Sequence, residues 1–192
     1  MTTTTHTRHT TDPRNRNGST VVLSAATIAM GLIAGVFYIF ACAVMPALAR
    51  SDDRTYVEVM RNINTVIQNP VFFLSFMGAL VLTAVSAWQL RGSPSARWIW
   101  AALASYALVF LITMAFNIPL NNALASKGNP TSLRDHFEGP WVAWNVARAV
   151  GSTVALGLLT RALLLRGRPG LHLTRPRTSR LLRGPGPGGS RA

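Results

Sequence analysis

Three windows of this chain contain no Asp, Glu, Lys or Arg: Asn17 to Ala49, Asn62 to Leu90, and Trp98 to Ser126, which are 33, 29 and 29 residues long. A bilayer core about 30 Å thick is crossed by about 20 apolar residues in a helix. A soluble domain carries about 25% charged residues, whereas here they make up 13% of the chain and hydrophobic residues 49%. The sequence therefore reads as an all-α membrane protein, with four transmembrane helices and an amphipathic helix between spans 1 and 2. The expected spans cover about 20–49, 70–90, 98–124 and 141–165. A Thr-rich tail (1–19) precedes them, and an Arg-, Gly- and Pro-rich tail (166–192) follows. Neither tail has the apolar content to form a core, so both are expected to be disordered.

The net charge of +13 reports topology in such a chain, and no nucleic-acid partner is expected. The N-terminal tail, the loop Arg91 to Arg97 and the C-terminal tail share one side and hold 3, 2 and 7 Lys plus Arg. The loops Arg50 to Asn69 and Ala125 to Pro140 hold 3 and 2, together with five of the six acidic residues. Positive charge gathers on the cytoplasmic face. This points to a multi-pass protein of the cell membrane with both termini cytoplasmic. Ala47-Leu48-Ala49 could be a signal-peptidase site, but the apolar run before it is far longer than the 7–15 residues of a signal core. Cys42 is the sole cysteine. It allows no internal disulfide, and in an apolar run it reads as a small buried hydrophobe.

Between spans 1 and 2, Tyr56, Val59, Met60, Ile63, Val66 and Ile67 recur at helical spacing, opposite Glu58, Arg61, Asn62 and Thr65. Ser51 or Asp52 can cap the start. This helix should lie on the membrane or over the mouth of the bundle.

Polar groups inside a bilayer are costly, so their placement is informative. Asn117 and Asn121 stand four apart on one helix face. Pro119 between them cannot donate to the carbonyl of Ala115. In span 4, Trp141, Asn145 and Arg148 form one stripe, with Arg148 about 10 Å inside Trp141. Asn117 reaches a similar depth from the same side. A guanidinium stays protonated, and no carboxylate lies inside any span. Its partners must be amide oxygens, freed carbonyls, the loop carboxylates Asp135 or Glu138, or an anionic ligand. The plain alternative is an Arg that reaches outward and ties helices together, beside architectural Asn residues. Trp98, Trp100, Trp141 and Trp144 lie near span ends, where an aromatic belt is the default. Trp144, beside Asn145, is also a candidate cavity wall. All four histidines lie outside the spans, so no bis-His haem can form within the membrane. No metal site is expected, and no Walker loop, nucleophile elbow or HExxH motif is present.

Four motifs follow in order: Val44-Met-Pro-Ala-Leu48, Met60-Arg-Asn-Ile-Asn64 through Pro70-Val-Phe72, Phe116-Asn-Ile-Pro-Leu-Asn121, and Trp141-x-x-Trp144-Asn145-x-x-Arg148. Together they resemble a widespread four-helix membrane family that includes the fungal anthrone oxygenases, over roughly Val21 to Leu165. The resemblance implies oxidation of a phenolic or polyketide anthrone by molecular oxygen, with no metal, flavin or other cofactor. Carried over motif by motif, it implicates Arg148, Asn145 and Asn117 in catalysis, and Asn64, Asn121 and Trp144 in binding a hydrophobic small molecule. His136 is the best-placed titratable group for a general base, with Glu138 next. A second class of function competes: a non-enzymatic accessory or lipid-binding protein in the bilayer, with a structural polar cluster. A transporter would be a third class, and with four helices it would call for a homo-oligomer.

The charge count makes a direct prediction. A fluorescent reporter fused after Ala192 should be active in the cytoplasm, and a phosphatase fused there should be inactive. The reverse pattern would overturn the orientation.

Overall fold

A computed structural model describes residues 13–167. Among them the structure is all-helical, and four helical stretches are long and apolar enough to cross a membrane. We number the helices α1 (Pro13–Ile39), α2 (Met45–Leu48), α3 (Asp53–Val66), α4 (Pro70–Gln89), α5 (Ala96–Ile112), α6 (Ile118–Ala125) and α7 (Pro130–Gly167). The first span is α1 and α2 joined by a π turn at Phe40–Val44, and the third is α5 and α6 joined by a π turn at Thr113–Asn117. The architecture is that of a multi-pass membrane protein.

Both π turns have the same local cause. Pro46 and Pro119 each follow a π turn after one intervening residue. A proline inside a helix cannot donate to the carbonyl four residues back, and its ring pushes that carbonyl aside. Each helix answers by widening. The Met45 amide donates to the Phe40 carbonyl and the Ile118 amide to the Thr113 carbonyl, both five residues back. Such wide turns recur at functional sites.

The four spans close a ring in which α1 packs on α4 and α7, and α5 packs on α7 and, along a shorter seam, on α4. Lipid chains are as apolar as leucine, so these helices associate through close packing. Fully buried small residues permit it: Ala26, Ala79, Ala102, Ala155 and Ala162. Gly151 marks the tightest approach. The Ser105 hydroxyl donates to its carbonyl at 2.8 Å, and a Cβ at Gly151 would lie 2.6 Å from Val109 Cγ2.

A second apolar cluster sits at the α3 end of the bundle: Met45, Tyr56, Val57, Met60, Leu124, Phe137 and Trp141. It seats α3 over the bundle, one of the two expected positions. Asp52 caps α3 through the Thr55 amide and hydroxyl. These bonds, the hydroxyl foremost, hold its carboxyl below the usual carboxylate range. Burial pushes the Tyr56 hydroxyl up. The buried face differs from the sequence reading by one step. Val57 is buried and Val66 is 73% exposed, because α3 leans with its first turns against α6 and α7.

Span 4 also differs. The helix expected from about 141 begins at Pro130 and runs through Pro140 as 38 residues. At 1.5 Å per residue that is about 57 Å, nearly twice a bilayer core. Its first turns are in excess of what a bilayer core needs, and they meet α3. Residues 13–19, expected within the polar tail, form the first turns of α1. The C-terminal tail lies beyond the described residues, apart from Arg166 and Gly167. Cys42 is exposed on the first π turn, not buried.

The Gly151 contact yields a prediction. Overpacking of this kind costs about 1–3 kcal/mol. Gly151→Ala should lower the thermal midpoint in detergent, and Val109→Ala added to it should recover part of the loss. A strictly additive pair would mean that the two helices do not meet there.

Candidate functional site

The two π turns face each other across the α3 end of the ring, and between them lies a cavity of about 210 Å³. α1 contributes Val36 and Phe37, with Phe40 from the first π turn; α4 contributes Phe72, Phe73 and Phe76. The second π turn with α6 contributes Thr113, Met114, Asn117, Ile118, Asn121 and Asn122. α7 contributes Trp141, Asn145 and Arg148, and Ile63, Asn64, Ile67 and Gln68 form the roof.

Arg148 is the charge at its centre, with only 6% of its surface exposed. One of its terminal nitrogens, Nη2, donates to Asn145 Oδ1 at 3.0 Å. Its guanidinium lies 4.4 Å from the Phe37 ring centre and 5.4 Å from that of Trp141. Its Nε is buried and hydrogen-bonds to nothing in the protein. The loop carboxylates considered as partners lie elsewhere. Glu138 is paired with Arg134 at 2.7 Å, and Asp135 is exposed on the outer turns of α7.

Asn145 is the hinge of this arrangement. While its Oδ1 accepts from Arg148, its Nδ2 donates to the Phe37 carbonyl at 3.1 Å. It thereby ties α7 to α1 just before the first π turn. Asn121 Oδ1 accepts from Trp141 Nε1 at 2.8 Å, which ties α6 to α7. Asn117 is different. It is 1% exposed, it lines the cavity, and both polar atoms of its side chain are buried with no partner in the protein. The second π turn places it there.

A buried amide with neither donor nor acceptor used costs about 1–3 kcal/mol. Side chains in this state mark strain or function. The site thus offers a permanent cation and an unused amide in the lining of one chamber, beside an aromatic and aliphatic wall. Such a chamber can hold a flat apolar molecule and stabilise negative charge on one of its oxygens.

Of the residues singled out from sequence, Arg148, Asn145, Asn117, Asn121 and Asn64 share this cavity. Trp144 and His136 do not. Trp144 stacks on Phe116 with ring centres 3.9 Å apart, away from the chamber. One helical step separates it from Trp141, which takes the wall position instead of joining an interfacial belt. His136 is exposed on the outer turns of α7, its Nδ1 2.8 Å from the Ser132 carbonyl of its own helix. It does not reach the cavity. Among the described residues no carboxylate or imidazole lines the chamber, and no group of three or more His, Cys, Asp or Glu side chains comes together.

Sequence reasoning missed the aromatic wall of Phe37, Phe72 and Phe76, whose apolar runs carry no distinguishing signal. It also missed Gln68 and Thr113. Two arginines outside the cavity hold its roof. Arg61 Nε donates to the Leu124 carbonyl at 2.8 Å and its Nη2 to the Ser126 carbonyl at 2.6 Å, fastening α3 to the end of α6. Arg134 binds Asp53 Oδ1 at 3.0 Å, donates to the Ala49 and Ser51 carbonyls, and lies over the Tyr56 ring. Arg61, on the polar face of α3, and Arg134, on the first turns of α7, are clasps.

Comparison with known proteins adds one finding. The anthrone oxygenase family model matches one segment of the chain, residues 72–158. That segment carries Asn117, Asn121, Asn145 and Arg148, while Phe37 and Asn64 lie before it. No curated protein and no solved structure matches the chain.

The unpaired amide makes a prediction of its own. Asn117→Leu keeps the number and branching of side-chain heavy atoms, has the cavity to expand into, and removes two unsatisfied polar atoms, so it should raise the thermal midpoint, by about 1–3 kcal/mol of stability. Asn145→Ala should lower it, because it breaks the α7–α1 tie and strips Arg148 of a partner. Destabilisation by Asn117→Leu would show that the amide has a structural role.

Proposed function

With the anthrone oxygenase match as the premise, we propose that this protein is a cofactor-independent oxygenase acting on a membrane-soluble phenolic or polyketide ketone of the anthrone type. The observation that carries this reading is that the Arg148 guanidinium, which no carboxylate pairs, and the unpaired Asn117 amide line the same largely apolar cavity between the spanning helices.

An anthrone loses a ring-CH₂ proton readily because the resulting enolate is aromatic. That anion reacts with oxygen at the same carbon. A C–O bond forms, uptake of a proton gives a hydroperoxide, and loss of water across the C–H and O–O bonds leaves the new carbonyl. One oxygen atom ends in the quinone and the other in water, so the balance needs only substrate and O₂. The task of the protein is to favour the enolate. Arg148 supplies fixed positive charge, and Asn117 supplies an N–H donor or carbonyl acceptor to a neighbouring oxygen. Preorganised donors act most strongly in a dry, low-dielectric site. Asn145 is a positioning residue, since its bond to the Phe37 carbonyl fixes where Arg148 points. With His136 outside the chamber, the proton passes to water at the polar edge, where Gln68 and Asn122 are exposed. Asn64 and Asn121 would bind the polar rim of the substrate. On the charge distribution of the loops, we place this end of the bundle on the extracytoplasmic side, with both termini in the cytoplasm.

The test is oxygen uptake by the purified full chain in nanodiscs given a simple anthrone, with protein-free nanodiscs beside it because anthrones autoxidise. Removing one preorganised donor costs about 10²–10³ in kcat, and Arg148→Ala should show a loss of that order. The acidic limb of its pH profile should also move to higher pH, because the lost cation no longer lowers the pKa of the bound substrate. His136→Ala should stay within about twofold of wild type. Equal uptake by wild type, Arg148→Ala and empty nanodiscs would end the oxygenase reading. A purely structural cluster would be indicated if Arg148→Ala only lowered stability.

A further inference from the structure

The cavity wall is interrupted on one side. On the α4–α5 seam, Phe76 stacks on Phe110 at 5.4 Å and meets Tyr106 edge-on, while the Tyr106 hydroxyl donates to the Phe76 carbonyl. Toward the α3 end, beyond Phe76, no hydrogen bond or ring contact joins α4 to the second π turn or to α6 among the described residues, and α4 has no extended packing against either. Three side chains on the parted edges both line the cavity and face outward: Phe73 on α4, 44% exposed, and Met114 and Ile118 across the gap, each 38% exposed. A side chain that lines a cavity and is also open to the exterior stands at its mouth. Here the mouth is apolar and lies within the spanning segments, so what it faces is lipid.

We propose that the ligand of this cavity reaches it sideways from the leaflet on the α3 side, through the gap between α4 and the second π turn with α6. The occupant is a flat, bilayer-dissolved hydroxyaryl molecule that slides past Phe73, Met114 and Ile118 and brings its acidic oxygen to Arg148. The chemistry of the two ends supports this choice. The mouth selects an apolar body, and the uncompensated cation selects an oxygen able to become an anion. α3, held by the Arg61 and Arg134 clasps, roofs the cavity on the water side. The edge left there carries the exposed amides Gln68 and Asn122, which suit water and a proton and not an apolar ring system. The inference rests on the reading of the chamber as a hydroxyaryl-anion site, and it concerns the route alone.

The test uses the full chain in phosphatidylcholine nanodiscs and a monohydroxyanthraquinone dye, whose visible band shifts on ionisation beside a cation. Association and dissociation are followed by stopped-flow absorbance, without any turnover. Two dyes that differ only by an alkyl tail are compared at the same free aqueous concentration. Passage through lipid predicts that the on-rate rises with the dye's partition into the bilayer, about tenfold for a tenfold partition ratio. Passage through water predicts equal on-rates. Met114→Trp with Ile118→Trp should slow association and dissociation alike by about tenfold, leaving Kd within about twofold. Phe73→Ala should speed both. Leu32→Trp, on a lipid-facing position of α1 outside the cavity, should change neither. Equal on-rates for the two dyes, or gap variants that alter neither rate, would overturn the proposal. So would a wild-type chain that does not bind the dye. Dye binding that follows the lipid route in a protein without oxygen uptake would remove the oxygenase and leave the portal standing.

Discussion

A guanidinium buried in a membrane bundle with no carboxylate beside it sets the terms for everything around it. Arg148 cannot shed its proton, and a bare charge in a low-dielectric site is expensive. The fold meets that cost through dipoles and ring faces. Asn145 aims its carbonyl oxygen at Nη2, and Phe37 and Trp141 present their electron-rich faces nearby. Each of these is itself anchored, Asn145 to the Phe37 carbonyl and Trp141 to Asn121. Three of the four spans thereby converge on one cation. None of the groups around it is an anion, so its charge stays available to a ligand.

Two prolines make the room. Pro46 and Pro119 each force a wide turn where an ordinary helix would have stayed closed, and the two turns oppose each other around the chamber. The same wide turn that places Asn117 at the cavity also forms, with α6, one edge of the side gap. The site and its opening are two results of one local defect. Below Phe76 the seam is regular and closed by stacked rings. Above it, the helices are held by α3, which acts as a cover fastened at both ends by arginines.

Much of this architecture was legible from residue order. The charge-free windows specify spans because no soluble fold needs them. Counting helical rise could place Arg148 of the Trp141, Asn145 and Arg148 stripe and Asn117 of the Asn117 and Asn121 pair at a similar depth, and all five residues line the cavity. What counting could not supply was the facing of side chains near the π turns, since one extra residue rotates everything beyond it. Trp144 and Trp141 illustrate the limit. They are three residues apart, and that offset decides that Trp141, within the stripe, lines the wall while Trp144 stacks outside on Phe116. His136 looked well placed only because it precedes span 4. The helix actually starts at Pro130 and turns that ring outward.

Sequence by itself determined that the chain crosses a membrane four times, that its polar groups gather at one end, and that a cation lies there without a carboxylate. These follow from hydropathy, helical rise and the permanence of the guanidinium charge, which are properties of residues in order. Only the tertiary structure decided which groups neutralise that cation, which amide remains unpaired and where the wall opens. Those outcomes depend on how four helices rotate against one another. Rotation is set by the summed packing of buried small residues such as Gly151 and Ala155 and by the wide turns, and no local stretch of sequence carries that sum.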